Sequence, residues 1–272
     1  MDTPPRLTDR AALTRNRRRA DKGALFLHDI ARDEAEDRLA MVNRTFTAPA
    51  VVTPFPDVWR QTFPEARLVE DTEILDLTPG AHDLVIHALC LHWADDPVGQ
   101  LIQVRHALRP DGLALVLAFG GQTLHELRAA LGQAEAEVTG GLSPRVLPMA
   151  EIRDLGALMQ RAGLALPVAD SAPLDVSYRN ALHLMQELRA MGEGNALDAR
   201  IRRFTRRRVL MRAAEIYAES YPAKDGRVRA TFEILTLTGW APDASQPQPL
   251  RPGSAAKRLA DALGTQETPL KD

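Results

Sequence analysis

Between Asp83 and Phe119 the chain spells out one complete strand–helix–strand crossover. Leu84-Val85-Ile86 lies within an apolar run from Asp83 to Leu91, behind the turn residues Pro79-Gly80. A run without alternation is the pattern of a parallel strand buried on both faces. Asp96 then stands as helix N-cap, with Pro97 at the first helical position, where its missing N–H costs nothing. Val98, Leu101, Ile102, Arg105 and Leu108 trace one face, mostly apolar. Arg109-Pro110-Asp111-Gly112 predicts a turn, Pro fixing φ and Gly allowing positive φ. Leu113 to Phe119 follows as a second apolar strand. Strand, capped helix, turn and strand make a βαβ crossover, which commits the middle of the chain to a parallel α/β sheet.

The flanks read less regularly. Thr8 is a candidate N-cap for a first helix, followed by a basic segment from Arg15 to Arg19. Phe26/Ile30 and Leu39/Val42/Phe46 have helical spacing. Short strands are predicted over 50–53 and 67–69, with one or two helical turns over 57–63. Thr123-x-x-Glu126 reads as a capping box for a helix through Leu124, Leu127 and Leu131. Residues 140–148 form a Gly/Pro/Ser loop, and 149–162 a helix ended by Gly163. Two strands are expected over 164–168 and 174–178. Asn180 caps a helix stopped by Gly192, another spans 205–219, and a strand covers 231–238. The division expected is an N-terminal helical arm (1–47), an α/β domain (48–240) with a helical insertion around 180–220, and an extended tail (241–272).

The chain has 272 residues, enough to bury a substantial core without staples. A net charge of −2 supplies no global attraction to nucleic acid or membrane. One cysteine, Cys90, rules out an internal disulfide framework and fits a reducing compartment. The first residues lack the apolar core of a signal peptide, and no apolar run reaches the roughly 18–20 residues that span a bilayer. The expectation is a soluble cytoplasmic protein.

Asp83-Leu84-Val85-Ile86, Leu89-x-Leu91-His92-Trp93, Asp96-Pro97 and Ala107-Leu108-Arg109-Pro110-Asp111-Gly112 together resemble the strand-4-to-strand-5 block of class I S-adenosylmethionine (SAM) methyltransferases. Leu7-Thr8-Asp9-Arg10, Val42-Asn43-Arg44-Thr45-Phe46, Gly140-Gly141-Leu142-Ser143-Pro144-Arg145 and Thr238-Gly239-Trp240 look like one branch of that superfamily. Two branches are nearest: malonyl-carrier-protein methyltransferases and respiratory complex I assembly factors. The resemblance implies a Rossmann-like, three-layer αβα fold with a mostly parallel sheet, SAM as cofactor, and a complex I subunit as partner. It sets Asp71 and Glu73 near the adenine. His92 and Trp93 lie where a strand's carboxyl end meets the ligand crevice of α/β sheets. The three histidines near this strand, with Cys90, show no convincing metal-ligand spacing, and no metal is expected.

The pattern fails in one place. The family's first strand leads into a glycine loop that lets backbone approach the cofactor. Here that position reads Thr53-Pro54-Phe55-Pro56, and no glycine occurs between Gly23 and Gly80. Proline supplies no N–H donor. Three strands with two helices need about 50–60 residues, and the chain runs from Ala50 to Asp76 in about half of that. One strand–helix unit is therefore expected to be missing. The reading that follows is an assembly-factor-type protein that acts by binding rather than catalysis. The alternatives are an active methyltransferase or protein-arginine hydroxylase with a rebuilt pocket, and a basic-patch binder of nucleic acid or membrane surfaces. Candidate partner contacts are Arg15, Arg17, Arg18 and Arg19 on the arm, and Arg202, Arg203, Arg206, Arg207 and Arg208 in a stretch with seven arginines and no acid over 200–212. Nucleic acid is the least favoured partner, because the chain is net acidic and shows no binding module. Peripheral membrane contact stays open.

Overall fold

A computed structural model of the chain describes residues 6–247 and 264–265. Residues up to Pro242 form one compact unit and those from Asp243 another. In the first, six strands make one mixed sheet. They are β1 (Pro49–Val52), β2 (Arg67–Val69), β3 (His82–Ala88), β4 (Leu108–Phe119), β5 (Ala165–Tyr178) and β6 (Val228–Trp240), in the order β2-β1-β3-β4-β6-β5. β2, β1, β3 and β4 are mutually parallel, and β6 runs antiparallel to both β4 and β5. The helices are α1 (Arg10–Arg17), α2 (Phe26–Met41), α3 (Pro56–Arg60), α4 (Pro97–Ala107), α5 (His125–Thr139), α6 (Ile152–Arg161), α7 (Ala181–Ala190) and α8 (Arg207–Ser220).

Strand alternation sorts the core into two layers. Val51, Leu84, Ile86, Leu115, Leu117 and Phe232 pack on α2, α3, α5, α7 and α8. Ala50, Val52, Val85, Ala114, Val116 and Leu237 pack on α4 and α6. In β4 the large side chains Leu113, Leu115, Leu117 and Phe119 all point one way, and the small Ala114, Val116 and Ala118 the other. This is the three-layer αβα arrangement that the crossover between β3 and β4 requires. A single unit, β1–α3–β2, precedes β3, and its helix is only five residues long. β2 pairs directly with β1, so the shortened front end still closes against the sheet.

Several local expectations are corrected. The N-cap of α1 is Asp9, whose carboxylate accepts from Ala12 N, whereas the Thr8 hydroxyl donates to the Trp93 carbonyl at 2.8 Å. Thr123 and Glu126 form no capping box. The Thr123 hydroxyl is tied to the Glu233 backbone, and Glu126 is fully buried, accepting from Thr231. The expected Pro-Asp-Gly turn lies inside β4, where the pairing with β3 shifts register between Leu108 and Leu113; its left-handed residue is Asp111 (φ 60°), and a Cβ at Gly112 would stand 3.0 Å from the Arg109 carbonyl oxygen. The two strands expected within 164–178 are one long edge strand, β5, paired along its length with β6. The expected extended tail lies mostly outside the described residues. At its start Ser245 donates to Asp243, a turn rather than an extended chain.

Candidate functional site

The carboxyl ends of β1, β3 and β4 face one edge of the sheet, the position where open α/β sheets bind ligands. β1 leads into Thr53-Pro54-Phe55, β3 into the short 3-10 turn Leu91–Trp93, and β4 into Gly120. Across this edge lies the N-terminal arm. Residues 7–9 bridge to 196–198, with Asp9 N donating to Ala196 O and Asp198 N to Leu7 O. Asp95 receives the backbone N–H groups of Leu7 and Thr8, both at 2.9 Å. The arm also needs Gly192, which ends α7 at φ 82°. A Cβ there would stand 3.0 Å from Arg17 Cα.

So held, α1 turns Arg17 into the crevice. Its Nη1 reaches both Asp71 oxygens, at 2.6 and 2.7 Å, and the two side chains are 8% and 4% exposed. Arg10 adds a hydrogen bond to the Asp71 carbonyl and a longer contact of 3.6 Å to its carboxylate. Burial would lower the Arg17 pKa, but the charges of Asp71 and then Glu193 raise it above its ordinary value. Glu193 follows Gly192 and accepts the Trp93 indole N–H at 2.7 Å. His92 Nε2 is 3.8 Å from the same oxygen, too long for a hydrogen bond but close enough for an ion pair when the ring is charged. Burial alone would raise the Glu193 carboxyl. The His92 ring, the Arg17 charge and the Trp93 donor outweigh it and hold the group at about 2. His28, from α2, is buried beside Phe55 with ring centroids 4.8 Å apart, and burial pushes its pKa down to about 4.

The expected site residues therefore meet, in altered roles. Asp71 is clamped by Arg17, while Glu73 is exposed and contributes only its carbonyl, to Gln103. His92 and Trp93 are buried against Glu193, with His92 also 5.0 Å from the Phe119 ring. Arg17, expected on a partner surface, is instead an interior group. Arg15 on α1, and Arg18 and Arg19 in the turn that follows it, remain exposed. Arg202 pairs with Asp9 and Asp198. Arg203, Arg206, Arg207 and Arg208 are exposed around a fully exposed Phe204. Glu193 and His28 were not singled out by sequence. Glu193 reads there only as part of a polar turn after a helix stop, and His28 as one polar residue on an amphipathic helix. His82 lies at the far end of β3, bonded to the Ala48 carbonyl, and His87 bonds Gln100 in the opposite core layer. Among the described residues no three His, Cys, Asp or Glu side chains are grouped to hold a metal ion.

The residues at the strand ends do not fit SAM. Pro54 and Pro56 carry no N–H. The two donors left in that loop are spent internally, Thr53 N on the Val69 carbonyl and Phe55 N on the Thr53 hydroxyl. The Phe55 side chain is buried against His28, and Arg17 occupies the carboxylate of Asp71.

No family model matches the sequence. The chain is 38% identical over 198 residues to "Arginine-hydroxylase NDUFAF5, mitochondrial" of Danio rerio, covering 73% of this chain and 61% of that protein. It is 32% identical over 174 residues to a "Malonyl-[acyl-carrier protein] O-methyltransferase" of Methylovorus sp., covering 64% of this chain and 56% of that protein. The chain is similar in sequence to both of these proteins, and it spans about three-fifths of the length of the curated relatives it matches. A solved methyltransferase structure from Burkholderia thailandensis, with 1,6-didemethyltoxoflavin and S-adenosylhomocysteine bound, aligns over 89% of this chain and 94% of its own at 14% identity and a TM-score of 0.46.

Proposed function

We propose that this protein acts as a binding factor of the respiratory complex I assembly type, keeping the methyltransferase fold but not using SAM. The observation that carries this reading is the Arg17–Asp71 clamp, which lays the arm across the strand ends where the cofactor would lie. Methyl transfer depends on holding the sulfonium carbon in line with a nucleophile. A crevice packed with Arg17, His28 and Phe55 leaves no frame for that alignment.

The partner surface in this reading is basic. Arg203, Arg206, Arg207 and Arg208 make no ion pair among the described residues, and the last two stand in the first turn of α8. Cations at a helix N-terminus oppose the helix dipole. Their presence there supports a role outside folding, namely contact with an acidic protein surface. Arg15 of α1 and Arg18 and Arg19 just after it have the same character. No helix among the described residues is long and apolar enough to cross a membrane, and the setting proposed is cytoplasmic.

Titration calorimetry of the purified protein with SAM and S-adenosylhomocysteine, followed by capture of complex I subunits, tests the reading. Silence up to millimolar cofactor with capture of a subunit is expected. Micromolar binding of either cofactor refutes it. Capture unchanged by Arg203, Arg206, Arg207 and Arg208 all becoming Ser removes the proposed surface.

A further inference from the structure

Beneath the crevice, on the side of the sheet that carries α2, α5, α7 and α8, is a cavity of about 290 Å³. Leu127 and Leu131 of α5, Met185 and Leu188 of α7, Met191, and Phe232 of β6 are among the residues of its wall. Protein interiors are packed like organic crystals, with few voids larger than a water molecule. A space of this size lined by hydrocarbon is not a by-product of folding, and small-molecule sites of about 300 Å³ and above have this mostly apolar character. The three methionines on the wall, Met149, Met185 and Met191, add adaptability, since the thioether chain repacks around guests of different shape.

The polar groups on the wall decide the class of guest. Arg145 is taken up by Glu135 in two hydrogen bonds, of 2.6 and 3.0 Å, and by Thr205. Glu193 gives one oxygen to Trp93, and its charge is balanced by Arg17. Arg189 is different. It lies one turn after Met185 on α7, is exposed at the rim, and its guanidinium makes no hydrogen bond or ion pair among the described residues. The uncompensated charge of the wall is thus a single cation at the opening of an apolar chamber.

We propose that this cavity binds a single-chain amphiphile with an anionic head, its hydrocarbon tail inside and its carboxylate on Arg189. At about 30 Å³ for a water-sized group, the chamber holds a tail of roughly ten carbons. The chamber shares Trp93 and Glu193 with the crevice, but its apolar wall on α5 and α7 is its own, so decanoate binding is read independently of SAM binding.

Decanoate titrated calorimetrically into the whole protein, below its micellar range, is the test. Decanol and decyltrimethylammonium serve as neutral and cationic controls. Micromolar binding of decanoate is expected, at least tenfold tighter than either control, and at least tenfold weaker in Arg189→Glu. Met185→Trp, at a partly buried position, and Leu127→Trp, deeper in, should each abolish binding by filling the chamber, with circular dichroism reporting which variant is folded. No heat with decanoate overturns the proposal. So does binding that survives in a folded, filled variant, which marks adsorption elsewhere, and so does preference for the cationic control.

Discussion

Arg17→Met removes the guanidinium that crosses the crevice while keeping most of the hydrocarbon stem. Its consequence follows from burial. Asp71 is 4% exposed and would be left with Arg10 alone, 3.6 Å away and itself 29% exposed. Breaking a buried pair by deleting one partner costs about 3–5 kcal/mol, because a charge stays behind without compensation. With Arg10 still in reach, the lower end, about 3 kcal/mol, is the expected loss. Asp71→Asn should cost a comparable amount, since Arg17 then has only Glu193 to balance it. The double variant removes both members of the pair and leaves only Glu193 short of a counter-charge, so its loss should fall short of the sum of the singles by about 2 kcal/mol. Urea unfolding at pH 7 of all four proteins, followed by circular dichroism, measures each quantity. If Arg17→Met lies within about 1 kcal/mol of the parent, or the two changes simply add, the arm is not latched by this pair and the argument for a closed crevice fails.

Two further outcomes are expected. His28 has a folded pKa of about 4 against roughly 6.5 in an unfolded chain. The unfolded state therefore binds the extra proton first, and stability should fall by about 3 kcal/mol as pH drops from about 6.5 to 4. His28→Leu should remove that slope in urea titrations across this range, and an unchanged slope would mean that His28 is not buried neutral. Replacing Arg207 and Arg208 by Glu should raise the unfolding free energy by about 0.3–1 kcal/mol each, because acids suit a helix N-terminus. The same change should weaken partner capture, and a loss of stability instead would show that these arginines serve the fold.

The central crossover was legible because each of its signals is local. Asp96 does cap α4, accepting from Gly99 N, with Pro97 at its first turn, and Asn180 caps α7. The missing glycines and the short interval before β3 likewise foretold a truncated front end. What stayed hidden depends on distant partners. β5 is interrupted by Asp170, Ser171 and Pro173, residues that argue for a break, yet β6 pairs with it from Ala165 to Tyr178. Pro173 is tolerated because β5 is an edge strand. Asp95, next to the cap, carries no sequence signal of its own and holds the arm. Arg17 looks like one of a basic run until α1 is docked, and Glu193 gains meaning only beside Trp93, 100 residues earlier. A charge's partner across the fold leaves no periodicity in the sequence.

Two of the arm's anchors lie far along the chain. Asn16 donates to the Gly194 carbonyl 178 residues later, and Asp9 pairs with Arg200 across 191. At about 5–20 residues per second, a ribosome needs roughly 10–40 seconds to make that interval. During that time the basic first helix has only its nearer partners, Asp71 and Asp95, to hold it. The full latch over the strand ends therefore waits until Arg200 has been made.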